Sequence, residues 1–187
     1  MTALPRRLAV PAAGSGPGLV LLRQGEDAET QAIADLYAAE GYVVLSPEPE
    51  IDGIGATVAA LRGRSECTGK VGALGYCLGG QLAYLTAART NSDASVGYYG
   101  INIQSRLNEA AKIKHPLMLH IAEADEYVPP EAQAKIEAGL KPNPHVTLYR
   151  YPLMNHAFAR VGGAHYDKAN ADFANIRSAT FFRQNLS

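Results

Sequence analysis

One cysteine of this chain stands in a setting that suits a nucleophile. Residues 70–89, KVGALGYCLGGQLAYLTAAR, predict a short apolar strand, a glycine-bounded turn with Cys77 at its tip, and a helix. The turn, GYCLG at 75–79, matches the G-x-S-x-G elbow that presents a nucleophile at the end of a strand, with sulfur in place of the hydroxyl. Gly75 and Gly79 fit because side chains would collide with so tight a turn. The predicted chemistry is acyl transfer through a thiolate.

The start of the following helix supports this interpretation of Cys77. Unpaired backbone N–H groups at a helix N-terminus favour the ionised thiol. The amide of Leu78 is then expected to donate to an oxyanion, and Gly80 to let the helix pack close to the sheet. A G-x-C-x-G motif on its own is equally compatible with a small buried apolar cysteine.

A thiol nucleophile needs a base, and the base needs an orienting acid. In folds with such an elbow, both follow the nucleophile, acid before histidine. The segment PLMLHIAEADEYVPP ends a predicted strand with Asp125, and YRYPLMNHAFARVGG ends the last strand with His156 in a loop. Glu123 and Glu126 flank Asp125, and Glu123 shares its side of an extended chain, so spacing alone leaves the acid open.

Four other histidines are weaker candidates for the base. His115 precedes a proline at the start of a strand, and His120 lies within a strand. His145 begins a strand, and His165 begins the last predicted helix. Only His156 follows a strand terminus at the edge where the elbow lies.

The elements that position these residues indicate an α/β fold. Near-continuous apolar runs alternate with amphipathic segments, which predicts a mostly parallel central sheet with helices on both faces, a three-layer sandwich. In such sheets the chemistry gathers beyond the carboxyl ends of the strands. Strands are predicted at 18–22, 42–46, 70–76, 94–99, 116–122 and 145–151, and helices at about 28–40, 54–63, 77–89, 130–139 and 165–183.

Composition predicts an ordinary soluble protein with one domain over residues 1–187. The 187 residues are 47% hydrophobic and 19% charged, with a formal net charge of -1. A domain of this size hides roughly 70% of its unfolded surface. Nucleic acid is not an expected partner, since there is no basic surplus. No apolar run approaches the roughly 20 residues that span a bilayer, so no membrane association is expected.

The numbers and spacing of the cysteines and histidines indicate the expected cellular location and whether a metal site is expected. Two cysteines are too few for a secreted disulfide framework, and the short, proline-containing apolar patch near the N-terminus does not fit a signal peptide, so a cytoplasmic location is expected. The histidines are scattered and no Cys-x-x-Cys occurs, so no metal site is predicted.

Four segments together carry a family likeness. GYCLGG, SVGYYG, HPLMLHIAEADEYVPP and NHAFAR, in this order and at similar separations, resemble the dienelactone hydrolase (carboxymethylenebutenolidase) family of the α/β-hydrolase fold. The resemblance spans residues from about 18 to 183. It implies a cofactor-free hydrolase that opens small lactones or esters, with Cys77 as nucleophile, Asp125 as orienting acid and His156 as base.

The resemblance also implies a carboxylate-bearing substrate. It gives Arg160, four residues beyond His156, the role of binding that carboxylate, for which a guanidinium is well shaped. Taken alone, Arg160 reads as a solvated loop cation. In SVGYYG, Tyr98 or Tyr99 either lines the pocket or buries aromatic area, and we take Tyr99 as the substrate-binding candidate.

The sequence departs from the family pattern in two places. The family carries an activating Gln-Glu pair after the first long strand, whereas LLRQGED here has Gln24 followed by Gly25. Glu26 is the candidate substitute, and the second oxyanion amide is expected at Gly25 or Glu26. The stretch before the elbow, residues 47–69, is also shortened, which predicts a wider and less selective pocket.

Two other classes of function remain open from the sequence. One is a ligand-binding or sensing protein that kept the fold and lost turnover, which the missing Gln-Glu pair would explain. The other is a redox thiol in which Cys67 resolves a Cys77 sulfenate. The strand between the two cysteines disfavours the second, because its length should hold the sulfurs apart.

Overall fold

A computed structural model describes residues 7–24, 27–48 and 52–187 of the chain. A single seven-stranded sheet runs through these residues. Its strands are β1 (Arg7–Ala9), β2 (Gly16–Leu22), β3 (Val43–Ser46), β4 (Cys67–Tyr76), β5 (Ala94–Tyr98), β6 (Leu117–Ala122) and β7 (Val146–Tyr151). The helices are α1 (Ala28–Ala39), α2 (Ile54–Arg62), α3 (Leu78–Arg89), α4 (Pro130–Leu140) and α5 (Lys168–Leu186), with a 3-10 helix at Ile103–Lys112.

The strand order across the sheet is β1-β3-β2-β4-β5-β6-β7. β1 is antiparallel to β3, and every other neighbouring pair is parallel. The carboxyl ends of β2 to β7 therefore meet at one edge, where the connecting loops and helix N-termini converge.

Helices cover both faces of the sheet. One apolar cluster joins the sheet to α2, α3 and α4, and a second joins the opposite face to α1 and α5. β4 lies centrally and is apolar over its second half, as a strand covered on both faces must be. The predicted three-layer α/β architecture is confirmed.

Two elements were not predicted, and one helix begins later than expected. β1 has only three residues, too few for a recognisable period, and the 3-10 helix lacks the 3.6-residue repeat. α5 begins at Lys168 because the Asp167 side chain caps it by accepting from the Asn170 amide. His165 therefore precedes the helix.

Within the described ranges, no helix combines the length and apolar character needed to cross a bilayer.

Candidate active site

The turn between β4 and α3 consists of one residue, Cys77. Its backbone angles are φ 57° and ψ -118°, in a region that side chains rarely adopt. Its N–H donates to the Tyr98 carbonyl at 3.1 Å, and its own carbonyl accepts from the Gly80 amide at 2.9 Å. The surrounding backbone thus holds the strained turn, and Cys77 lies at the N-terminus of α3.

The glycines around the turn are required by backbone contacts. A Cβ on Gly75 would overlap the Gly79 carbonyl, and one on Gly79 would overlap the Leu22 carbonyl of β2. A Cβ on Gly80 would lie 2.7 Å from the Tyr98 carbonyl oxygen. The sequence interpretation of these glycines is confirmed, including the close approach of α3 to the sheet.

The structure brings the predicted acid and base together beside this turn. His156 Nδ1 lies 2.8 Å from Oδ2 and 3.1 Å from Oδ1 of Asp125. The Asp125 side chain is only 1% exposed and also accepts from the Tyr127 amide at 2.9 Å. With Nδ1 directed at the carboxylate, Nε2 is the ring nitrogen left for Cys77, which lines the same cavity as His156.

Neighbouring groups raise the pKa of His156 to about 9. Burial acts in the opposite direction and is the largest single influence, but the hydrogen bonds and charges of Asp125 and Cys77 together outweigh it. The imidazole is therefore protonated at neutral pH, flanked by a carboxylate on one side and by sulfur on the other.

Two tyrosines enclose the imidazole. The Tyr99 ring meets it edge-on with centroids 5.1 Å apart, and the exposed Tyr127 ring does so at 4.8 Å. Burial raises the pKa of Tyr99 well above its usual range, so its hydroxyl remains protonated. Tyr98 does not line the cavity; it stacks on Tyr76 at 4.7 Å and bonds the Ser178 hydroxyl at 2.7 Å.

A cavity of about 230 Å³ opens above the sulfur. Tyr99 and Arg160, the two predicted substrate-binding residues, line it together with His156 and Cys77. Arg160 is 55% exposed on its side chain and contacts Glu29 Oε2 through Nε at 3.2 Å. Within the described residues its terminal nitrogens make no hydrogen bond, so they are available to an anion in the cavity.

A second arginine of the cavity was missed by the sequence analysis. Arg23 follows β2 directly, and its terminal nitrogen lies 2.6 Å from Glu29 Oε2. Glu29 therefore bridges Arg23 and Arg160. The sequence signal for Arg23 was its position one residue beyond the end of a strand, within the LLRQGED segment, because side chains at that edge of the sheet converge.

Some predicted residues have no described side chain or no site contact. Gly25 and Glu26 lie outside the described residues, so the proposed second oxyanion amide and the substitute glutamate are not located. Leu78 is the first residue of α3, and its N–H is one of the donors that a helix N-terminus leaves unpaired. Glu123, a rival for the acid, instead pairs with Arg150 at 2.7 Å.

The other cysteine lies far from the site. Cys67 is the first residue of the ten-residue β4, and Cys77 follows its last residue. At about 3.3 Å per residue, the regular part of β4 from Val71 to Tyr76 alone spans more than about 15 Å between the two cysteines. Both are free thiols. No group of three or more His, Cys, Asp or Glu side chains in the described part of the chain is arranged to hold a metal ion.

The parallel sheet, the strained turn and the layered helices define an α/β-hydrolase fold. A solved structure described as a dienelactone hydrolase-like promiscuous phosphotriesterase from metagenomic libraries superposes with a TM-score of 0.83 at 18% identity. The match covers 96% of this chain and 92% of that one.

Sequence comparison then gives the family. The Dienelactone hydrolase family pattern matches residues 48–186. A protein of Azospirillum brasilense is 38% identical over 215 aligned positions, covering 96% of this chain and 92% of its own. A carboxymethylenebutenolidase of Pseudomonas putida is 34% identical, covering 90% of this chain and 69% of its own. The chain belongs to the dienelactone hydrolase family, whose members are hydrolases of ester and lactone bonds.

The alignment also bears on chain length. Its 215 positions exceed the 187 residues of this chain, so the Azospirillum brasilense protein contains segments with no counterpart here. The sequence interpretation of a shortened member agrees with this difference.

Proposed function

We propose that this protein hydrolyses small lactones or esters by acyl transfer through Cys77, with His156 as base and acid and Asp125 as the orienting carboxylate. The observation that carries the proposal is the 2.8 Å contact between His156 Nδ1 and Asp125 Oδ2 beside a thiol held in a strained turn. The ordered set of nucleophile, acid and base is the arrangement that activates a nucleophile.

The first half of the reaction forms a thioester. In the resting pair His156 already holds the thiol proton, and the Cys77 thiolate attacks the substrate carbonyl, forming a carbon–sulfur bond and an oxyanion. The Leu78 N–H donates to that oxyanion. As the adduct collapses, the carbon–oxygen bond to the leaving group breaks, and the His156 imidazolium gives its proton to the departing oxygen.

The second half releases the acyl group from Cys77. Neutral His156 removes a proton from water, the resulting hydroxide attacks the thioester carbon, and the carbon–sulfur bond breaks. The released products are an acid and the thiolate, which again pairs with the imidazolium. Asp125 fixes the ring and stabilises its positive charge through both halves.

Sulfur restricts the class of bond that is cleaved. A thiolate is itself a good leaving group, so the adduct reverts unless the departing oxygen is stabilised. An enolate released from an unsaturated lactone, or a phenolate released from an aryl ester, meets that condition, whereas an amine does not.

Two cavity residues suit a substrate that carries a carboxylate. Arg160 lines the same cavity as Cys77, and among the described residues its terminal N–H groups have no hydrogen-bond acceptor, so it is suited to bind a planar anion with two hydrogen bonds. Tyr99 lines the cavity and packs edge-on against the imidazole, so it would contact the bound lactone or ester.

The decisive experiment is a panel of dienelactone, aryl esters and alkyl esters with the parent, Cys77→Ser and Cys77→Ala. We expect the parent to favour the lactone and aryl esters, and Cys77→Ala to lose at least about 1,000-fold in kcat. Mass spectrometry of the parent should detect an acyl group on Cys77. The matched control is Cys67→Ser, which removes the other thiol and should retain full activity.

Unchanged rates in Cys77→Ala, with folding verified by circular dichroism, would move the chemistry to another residue. A parent that neither turns over any ester nor forms an adduct would instead indicate a ligand-binding member of the fold.

A further inference from the structure

A cleft lies between α1 and α5 on one face of the sheet. Its volume is about 740 Å³, compared with about 230 Å³ for the cavity above Cys77. Apolar side chains from both helices line it, with charged groups such as Glu40 and Arg183 also on its walls. The cleft therefore offers more room, and a more apolar lining, than the space directly above the sulfur.

The apolar residues of this cleft are exposed to an unusual degree. Leu36 of α1 is 55% exposed, Ile176 of α5 is 63% exposed, and Val161 of the preceding loop is 72% exposed. They face one shared space rather than lying singly on the surface. Contiguous apolar patches of this kind in soluble proteins mark ligand-binding grooves or interfaces.

The cleft adjoins the candidate active site across Tyr76. Tyr76 lines both spaces and is covalently next to Cys77. Glu29 lines the cleft, and its carboxylate holds Arg23 and Arg160, which line the cavity. The boundary between the two spaces is thus a tyrosine ring and one ion-paired cluster.

We propose that this cleft binds an apolar arm of the substrate, so that the protein acts on esters that carry an alkyl or aryl chain. The ester carbonyl lies at Cys77, and the chain lies along Tyr76 between α1 and α5. This inference rests on the proposed function, and it extends the substrate class beyond a compact lactone.

The relative sizes of the two spaces support an extended substrate. Pockets for drug-sized ligands measure about 300–1,000 Å³. The cavity above the sulfur, at about 230 Å³, accommodates only a small acyl group, whereas the cleft falls within that range. Burial of each methylene is favourable, so affinity should increase with every carbon of an arm that lies in the cleft.

The test compares p-nitrophenyl acetate with p-nitrophenyl octanoate, and 4-methylphenyl acetate with 4-octylphenyl acetate, to place the arm on the acyl or the alcohol side. We expect kcat/KM to rise at least tenfold along one of the two series. In Ile176→Asp, a charge enters the cleft, and the octanoate-to-acetate or octyl-to-methyl ratio should fall by about tenfold.

Phe173→Asp is the matched control. Phe173 belongs to the same helix and is similarly exposed, at 60%, but it does not line the cleft. Its variant should keep the parent's activity and chain-length ratio. A flat chain-length series in the parent, or equal ratios in the two aspartate variants, would overturn the proposal.

A binding measurement separates this proposal from the proposed function. Octanoate and acetate are titrated into Cys77→Ala, with and without Ile176→Asp, by calorimetry. Tighter binding of octanoate that is lost with Ile176→Asp supports the cleft even when no ester is turned over. Equal affinities for octanoate and acetate would overturn the proposal. If sedimentation shows that the parent is a dimer and that Ile176→Asp is a monomer, the cleft binds a second copy of the chain instead.

Discussion

Both carboxylate oxygens of Asp125 face a single nitrogen of His156, with Nδ1 at 2.8 Å from Oδ2 and 3.1 Å from Oδ1. The carboxylate is buried, and the Tyr127 amide holds it from the other side. A buried carboxylate in this position stabilises the imidazolium strongly, because little water competes for the charge. The position and the protonation of His156 therefore both depend on Asp125.

Asp125→Asn should lower kcat by roughly 100- to 10,000-fold, because the amide neither stabilises the imidazolium nor fixes the required tautomer. The variant keeps the size of the side chain, so packing around it is retained. Steady-state kinetics with an aryl ester, together with near-ultraviolet circular dichroism, would separate a catalytic defect from misfolding.

Glu123→Gln is the control for that variant. Glu123 is two residues away and pairs with Arg150 rather than with His156. Its substitution should leave kcat within about twofold of the parent, since a surface ion pair contributes little. If Glu123→Gln lost as much kcat as Asp125→Asn, the assignment of Asp125 as the orienting acid would be contradicted.

The raised pKa of His156 predicts a pH-dependent stability. The pKa is about 9 in the folded protein against 6.5 for an unperturbed histidine. The stabilisation is fully present below about pH 6.5 and is lost as the pH rises through about 9. It amounts to at most about 3 kcal/mol, since one pKa unit corresponds to about 1.4 kcal/mol.

Urea unfolding at about pH 6, 7.5 and 9.5 would measure this effect in the parent and in His156→Gln. The free energy of unfolding of the parent should decrease across this range, and the slope should be smaller in the variant. Parallel pH profiles for the two proteins would contradict the assignment of the effect to His156.

Much of the site could be predicted from local sequence because its members occupy strand ends. Cys77 lies in a motif that only a strand-turn-helix unit accommodates, and His156 follows the last strand. Spacing alone could not select Asp125 over Glu123 as the acid, since the alternation of side chains along a strand places both on the same side. The choice depends on Arg150 of β7, which binds Glu123, and that partner is distant in sequence.

The charged cluster beside the cavity was beyond the reach of local patterns. Arg23, Glu29 and Arg160 come from a strand end, a helix and a distant loop, and only the folded chain brings them together. β1 could not be predicted for a related reason. Its three residues form a strand because they pair with the edge of β3, which is distant in sequence.

The glycines of the turn give a prediction about stability. In Gly75→Ala, the new methyl group would overlap the Gly79 carbonyl, which is backbone and cannot move independently of α3. We expect a loss of more than about 2 kcal/mol in the free energy of unfolding, measured with urea. Displacement of Cys77 should also lower the rate of its alkylation or acylation.

Gly55→Ala provides the matched comparison. Gly55 lies in α2, and a Cβ built there meets no atom within 4 Å. Alanine should raise stability by up to about 1 kcal/mol, because it lowers the entropy of the unfolded chain and favours the helix. Similar losses in both variants would contradict the backbone collision as the cause.

Arg160 should distinguish substrates by their charge. Arg160→Gln should raise KM about 10- to 100-fold for an aryl ester that carries a carboxylate, since a hydrogen bond to a charged group contributes about 1.5–3 kcal/mol. Arg160→Lys should fall between the parent and Arg160→Gln, because an ammonium group binds a carboxylate without the two-point geometry. For a neutral aryl ester of similar size, the rise in KM should be much smaller.

The comparison of the two esters separates binding of the carboxylate from a structural effect. The Arg160 side chain is 55% exposed, so loss of its pair with Glu29 should change stability by less than about 1 kcal/mol. Arg150→Gln is the control, since Arg150 also pairs with glutamates but on the outer strand β7. If Arg160→Gln raises KM equally for the charged and the neutral ester, Arg160 does not bind the substrate carboxylate, and the anion must bind elsewhere in the cavity.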